Sequence, residues 1–310
     1  MNSFLKSWLT NGQRPRVVIL GNEKGGSGKS TLAIHIVAGL LAAGFRVGSI
    51  DLDGRQGTLS RFLENRRRAK AERPEILLPQ HRQVSLSRSA TEDRSGDEKL
   101  DQVVTALEGL SDTDFIVVDT PGSDSVLCRA AHVFADILVT PLNPSYLDLD
   151  AMVEVDESAE RIVGPSAYSE LVLYMMEKRR EMQIGDLRWV VVLNRLPNVN
   201  TKVTRSVTQV LEELVPRLGF RLAEGIHDRV VFRELFLQGL TVFDGFDRGV
   251  LRLANRGLRH GLKEMRDLLA TLQGDDRPSR ATTGIGDYGR TEPRSETTGD
   301  TWGRPPAANP

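Results

Sequence analysis

The chain has 310 residues, and 41 Lys and Arg stand against 42 Asp and Glu for a formal net charge of −1. Near-neutrality excludes an overall polycation, so a polyanionic partner must be met by a local basic face. Cys128 is the only cysteine, which excludes an internal disulfide and fits a reducing cytoplasm.

Residues 1–14 lack the continuous apolar run of a signal peptide and are expected to form a frayed N-terminal arm. Phe4, Leu5, Trp8 and Leu9 could still line one side of a short helix and give a weak membrane or partner anchor. No stretch approaches the roughly 20 apolar residues of a membrane span, so no stable membrane insertion is expected.

From Arg16 onward, strand-like and helix-like segments alternate. RVVIL is a short apolar run, followed by a glycine loop and then by STLAIHIVAGLLAAG, which has helical character and Gly44 as a stop. FRVGSID reads as a second buried strand, and the RRR at 66–68 that follows reads as a solvated helix face. Residues 79–99, PQHRQVSLSRSATEDRSGDEK, are polar and read as a mobile surface loop. FIVVDTPG, DILVTPL and RWVVVLN complete the strands. The alternation predicts an α/β fold: a doubly wound, mostly parallel sheet with helices on both faces. Residues 274–310 are rich in Gly, Pro, Thr and charge and read as a disordered tail, leaving 15–273 as the folded unit.

The loop at 21–31, GNEKGGSGKST, sits between a strand and a helix. Backbone N–H groups of Gly25, Gly26, Ser27 and Gly28 can point at phosphate oxygens unobstructed, and the helix N-terminus favours negative charge. Lys29 would reach the β and γ phosphates, the Ser30 hydroxyl would ligate Mg²⁺, and Thr31 would meet the α-phosphate. The usual first glycine of such a loop is replaced by Glu23, and a second lysine, Lys24, stands in front of Gly25.

This K-G-G-x-G-K-S-T form resembles the deviant phosphate loop of the ParA/MinD ATPases. The resemblance implies ATP and Mg²⁺ as cofactors, a homodimer when ATP is bound, and a Lys24 that crosses to the partner's phosphates as a cation supplied in trans. It also implies that Asp53, in IDLDGRQ, orients the attacking water and that Asp51 supports the metal region. Asp119, after the apolar run of FIVVD, occupies the usual position of the acid that holds Mg²⁺ through water, and Gly122 would let the backbone turn toward the γ-phosphate. In NRLP at 194–197, Pro197 stands where a GTPase needs an aspartate for guanine. Asn194 can still contact an adenine, which favours ATP.

Within that family, one cysteine does not suit a nitrogenase iron protein, and the polar C-terminus does not suit a MinD-type membrane helix. RFLENRR and DRVVFRELF, with the loop and strand segments between about residues 15 and 245, resemble the MipZ branch of division-site positioning ATPases. That resemblance implies capture by ParB, ATP-dependent spreading on nonspecific DNA, inhibition of FtsZ assembly and slow ATP hydrolysis. It places the protein on the nucleoid, enriched toward the ParB-marked origin. Two readings stand beside it: a ParA-type partition ATPase, and a metabolic ATP-dependent enzyme such as a dethiobiotin-synthetase-like ligase, for which the sequence shows no acceptor motif.

Two basic sets are candidates for DNA. Arg248, Arg252, Arg256, Arg259, Lys263 and Arg266 recur at helical spacing, with Leu251, Leu258, Leu262, Met265 and Leu269 on an apolar side. The alternative set is Lys202, Arg205, Arg221, Arg229 and Arg233, which the MipZ resemblance favours. Neither shows base-reading features, so contacts would be to phosphate. The five histidines have no metal-ligand spacing, and His35 is expected to pack in the helix after the loop.

Overall fold

The computed structural model describes residue 12 and residues 14–84, 96–122, 126–155, 162–244 and 256–273. Strand β1 (Arg16–Leu20) leads into helix α1 (Lys29–Ala42), then β2 (Val47–Asp51), α2 (Thr58–Glu72), β3 (Gln80–Gln83), α3 (Gly96–Glu108) and β4 (Phe115–Asp119). The chain continues through α4 (Val126–His132), β5 (Ile137–Leu142), α5 (Tyr146–Leu149), β6 (Val153–Val155), β7 (Ile162–Pro165), α6 (Ala167–Glu181) and β8 (Arg188–Leu193). It closes with α7 (Lys202–Leu218), β9 (Arg221–Ala223), α8 (Val230–Leu237), a 3₁₀ turn (Val242–Asp244) and α9 (Arg256–Gln273).

Seven strands form one sheet in the order β3-β2-β4-β1-β5-β8-β9, and every pairing in it is parallel. Parallel strands need crossovers, and the helices that supply them bury both faces. Successive side chains of β1 therefore enter opposite cores. Val17 and Ile19 pack with Val103 and Leu107 of α3, Val172 of α6 and Leu211 of α7. Val18 and Leu20 pack instead with Leu32 and Ile36 of α1, Leu235 of α8 and Met265 of α9. All five apolar runs singled out in the sequence are strands of this sheet, so the expected doubly wound α/β architecture is what the chain adopts.

Several expectations need correction. The stretch 79–99 is not one loop: Gln80–Gln83 add β3 to the sheet edge beside β2, and α3 begins at Gly96. Polar side chains hid this edge strand, whose outer flank faces solvent; Ser49 and Ser60 hydrogen-bond the two ring nitrogens of His81 at 2.9 and 3.0 Å. Arg66 is not solvated but 2% exposed. Its guanidinium donates twice to Asp244, each at 2.7 Å, and to the carbonyls of Leu77 and Gly239, while Arg67 and Arg68 remain exposed. The folded unit also reaches Arg14, which is paired to Asp136 in front of β1. The rest of the expected arm, apart from Gly12, and the tail at 274–310 lie outside the described residues.

α7 shows how local sequence sets its ends. The Thr201 hydroxyl caps it by accepting from Thr204 N at 3.1 Å. Gly219 stops it in the left-handed region, at φ 71°. α9 bears out the amphipathic expectation: Leu258, Leu262, Met265 and Leu269 are buried, and Arg256, Arg259, Lys263 and Arg266 are exposed. Arg248, Leu251 and Arg252 of that set lie outside the described residues.

Candidate nucleotide-binding site

The C-terminal ends of β1, β2 and β4 converge, because their parallel register aligns Leu20 and Asp51 with Asp119. Open parallel sheets bind ligands at this edge. The loop between β1 and α1 is fixed from below by Asn22, 1% exposed: its Nδ2 donates to Pro141 O at 2.7 Å, and its Oδ1 accepts from Lys24 N at 2.8 Å. Gly28 has φ 95°, a left-handed conformation that glycine takes without strain. The loop thus delivers its N–H groups to the first turn of α1.

The two lysines point differently. Lys29 is buried, and its Nζ donates to the Lys24 carbonyl at 3.0 Å. Burial pulls its pKa down, opposed by the charges of Asp119, Cys128 and Asp53. The Lys24 side chain is 34% exposed, with its Nζ 3.5 Å from an Asp150 carboxylate that is itself half in solvent. Lys24 therefore lies on the outer surface of the loop.

Asp119 is fully buried, and both its oxygens lack a hydrogen-bond partner among the described residues. Burial pushes its carboxyl up to about 7; the neighbouring Ser30 hydroxyl and Lys29 pull it down, while Asp51 and Asp53 raise it further. A buried, unsatisfied carboxylate beside a serine hydroxyl fits the demands of Mg²⁺, which takes few protein ligands and keeps waters and phosphate oxygens for the rest. Among the described residues no three His, Cys, Asp or Glu side chains converge as a metal nest.

Asp51 serves differently from expected. Its Oδ2 accepts from Ser60 N and Oγ, both at 2.9 Å, and its Oδ1 accepts from Asp53 N at 3.0 Å. Burial raises its pKa and these bonds oppose the rise. Asp51 positions the Asp53 turn and the start of α2, and both its oxygens are already engaged. Asp53 is half-buried and accepts from Gln56 N at 3.1 Å, leaving its carboxylate at the mouth of the site.

Asn194 has a structural role that its expected contact with a base did not include. Its Nδ2 donates to Ser27 O at 2.8 Å, and a Cβ on Gly28 would come within 2.1 Å of it. One N–H of this amide braces the phosphate loop, and the amide has a second N–H and an oxygen besides. Gly122 is equally tight, since a Cβ there would fall 2.8 Å from Gly25 Cα and 3.3 Å from Lys29 Nζ. Sequence reasoning missed Asn22, Ser60 and Asp150. No local signal marks Ser60 or Asp150, whereas Asn22 follows a buried strand and opens the loop.

The five favoured basic residues do not form one surface. Lys202 and Arg205 are exposed in the first turn of α7. Arg221 opens β9 at the other end of that 17-residue helix, about 25 Å away at 1.5 Å per residue. Arg229 is ion-paired to Glu264, which also accepts from His227 at 2.8 Å. Arg233 is held by Asp228 at 3.1 Å.

A family model described as "ATPase MipZ" matches residues 16–275. A maintenance of carboxysome distribution protein A from Halothiobacillus neapolitanus is 29% identical over 235 residues, covering 74% of this chain and 88% of that protein. A chromosome partitioning protein ParA from Myxococcus xanthus is 26% identical over 250 residues, covering 71% and 80%. Among solved structures, a Cyanothece McdA(D38A)–ATP complex superposes with a TM-score of 0.58 at 16% identity, covering 86% of this chain and all of that one. A Borrelia burgdorferi plasmid partition protein bound to AMPPNP gives 0.54 at 18% identity, covering 83% and 99%. At these identities the structural likeness speaks for the fold, a ParA/MinD-type phosphate-loop architecture.

Proposed function

Because the chain belongs to the MipZ ATPase family, we propose that it is an ATP-dependent dimerising switch that positions cell division. In this reading it binds ParB and nonspecific DNA, inhibits FtsZ assembly and resets by slow ATP hydrolysis. The observation that carries the reading is the divergence of the two lysines. Lys29 is turned into its own loop and Lys24 outward, where a second copy can receive it.

The residues divide the work as follows. Backbone N–H groups of Gly25 through Thr31 cradle the phosphates at the start of α1, and Lys29 neutralises charge there. Ser30 and Asp119 would hold Mg²⁺, which when bound would neutralise phosphate charge. Asp53, steadied by Asp51 through its own N–H, orients the water that attacks the γ-phosphorus. The bond to the β–γ bridging oxygen breaks, ADP leaves with that oxygen, and the water's proton passes to solvent or phosphate. Lys24 of a second copy stabilises the charge that develops on the transferring group. Asn194 keeps the loop in register.

DNA would be met through Lys202 and Arg205 at the head of α7, or through the exposed face of α9 that carries Arg256, Arg259 and Arg266. Arg221 is too far from that head to share the footprint, and Arg229 and Arg233 are already paired. Phosphate contact alone makes binding steeply salt-dependent. A dimer doubles the contacts and raises avidity.

The test is co-sedimentation with duplex DNA, with and without a nonhydrolysable ATP analogue, over a salt series, followed by FtsZ filament assays. The reading expects DNA binding that requires the analogue and filaments that shorten. Its similarity to ParA proteins favours a partition ATPase as the second reading, which expects DNA binding and unaltered FtsZ. Transfer of phosphate to a metabolite in place of water would overturn both.

A further inference from the structure

The strands that start beside one another at the foot of the sheet border a recess away from the phosphate loop. Arg16 opens β1, Ile137 opens β5, Arg188 opens β8 and Arg221 opens β9, all running parallel. The phosphate loop leaves the opposite end of β1, one strand length away, so the two places cannot share a ligand. Between the strand starts and α6 lies a recess of about 800 Å³, within the range of small-molecule sites.

Six arginines line this recess against two aspartates, Asp136 and Asp186. Asp136 has no capacity to spare. One oxygen accepts from Arg14 at 2.6 Å and Arg179 at 3.2 Å, and the other from Arg14 at 2.5 Å and Val17 N at 2.9 Å. Asp186 is exposed and 3.5 Å from Arg180. Neither Arg16 nor Arg221 has an ion-pair partner among the described residues.

Arg179 makes the imbalance more specific. It is 5% exposed and donates through Nε to Gly185 O at 3.1 Å and through Nη2 to Asp136, but its Nη1 is buried without a partner. A buried guanidinium nitrogen with nothing to bond is costly unless a ligand satisfies it. Burial also lowers its pKa, opposed by Asp136. Arginine in place of lysine favours paired, in-plane recognition of phosphate oxygens. A concave recess of this volume takes a molecule of nucleotide size, whereas a duplex presents its phosphates on a convex rod.

We infer that this basal recess is a second anion site, for a compact molecule carrying a condensed phosphate, two or more linked phosphoryl groups. The inference is independent of the proposed switch. Its test uses the full-length Lys29→Ala variant, which disables the phosphate loop, titrated calorimetrically with inorganic tripolyphosphate and, separately, with GTP. One site per chain is expected, weakened at least tenfold by adding Arg16→Gln and Arg221→Gln, with the circular dichroism spectrum unchanged. Both substitutions fall at strand starts on the rim, so the fold survives them, and Trp189 fluorescence gives a second readout. Tighter binding of GTP than tripolyphosphate identifies a nucleotide as the source, and equal binding a free polyphosphate. No binding in the Lys29→Ala protein, or binding indifferent to the two arginine substitutions, overturns the site. So does duplex DNA binding that depends on those arginines while tripolyphosphate is ignored. Because the phosphate loop is disabled throughout, absent or arginine-indifferent tripolyphosphate binding leaves the switch reading untouched, whereas DNA binding by this nucleotide-blind variant would count against that reading as well.

Discussion

Lys29 folds its ammonium back onto the main-chain carbonyl of Lys24, 3.0 Å away, while the Lys24 ammonium leans outward to within 3.5 Å of Asp150. Two cations in one loop therefore address opposite sides of it, and their loss should have separable consequences.

Lys29→Ala should abolish nucleotide binding, because the buried cation facing the phosphates is gone. Lys24→Ala should leave affinity for ATP within about threefold, since its side chain lies outside the pocket of its own chain. The same variant should remain monomeric with ATP and lose at least about 100-fold in turnover, the scale of a cation supplied in trans. Sedimentation velocity with and without ATP, alongside a nucleotide-binding titration, separates the two. A Lys24→Ala protein that dimerises normally would end the assignment.

Gly122→Ala should damage the site without unfolding the protein. The added methyl would fall 2.8 Å from Gly25 Cα and 3.0 Å from Gly25 N, so the loop must move off its β4 neighbour. A shift of this size at a phosphate-positioning backbone typically costs about 100-fold in rate. Hydrolysis assays paired with a melting curve should show lost turnover at a nearly unchanged midpoint.

Asp119 gives the nucleotide-free protein a pH signature. Its carboxyl titrates near 7 in the fold, against 3.8 for the ordinary group. The folded chain therefore holds a proton that the unfolded chain has released, and stability falls as pH rises from about 4 through 7. Asp119→Asn should remove that slope and stabilise the nucleotide-free protein at pH 8 by roughly 1–3 kcal/mol. Affinity for Mg²⁺ with ATP should rise across the same window in the parent and stay flat and weak in the variant. Urea unfolding and magnesium titrations between pH 5 and 8 check both signs.

Arg66→Ala should cost about 3–5 kcal/mol, the loss expected when one member of a buried pair is removed. The partner left behind is Asp244. Burial pushes its carboxyl up, but the Arg66 bonds and charge, with those of Thr241, outweigh this and hold it below the usual range. Arg67→Ala, one residue on and exposed, should be neutral within about 0.5 kcal/mol. Denaturation midpoints of the two variants measured together make the comparison.

The sequence made the centre of the sheet legible and left its margins obscure. β1, β4, β5 and β8 are near-continuous runs of Val, Ile and Leu because both their faces are covered, and such runs can be read without knowing their neighbours. Gln80–Gln83 form an edge strand that borrows its conformation from β2, so no apolar pattern betrays it. The phosphate loop was readable because its chemistry is local, from Lys24 to Thr31. Arg66 and Arg229 were misread for one shared reason. Each is governed by a partner far along the chain, Asp244 and Glu264 respectively, and single-residue reasoning saw only a charged side chain; the bond from Asn194 to Ser27 was hidden in the same way. Asp51 shows the same limit at closer range, since Ser60 claims its carboxylate from the next helix.

The single amide of Asn194 ties the far end of β8 to the carbonyl of Ser27. α7 begins shortly after that asparagine, with Lys202 and Arg205 in its first turn. If the loop shifts when phosphate arrives, as the proposed switch requires, the strain would fall first on this tether, and through it on the segment leading to the basic head of α7. Fuel occupancy and the posture of a distant cationic surface would then be mechanically joined within one molecule, before any second copy is involved.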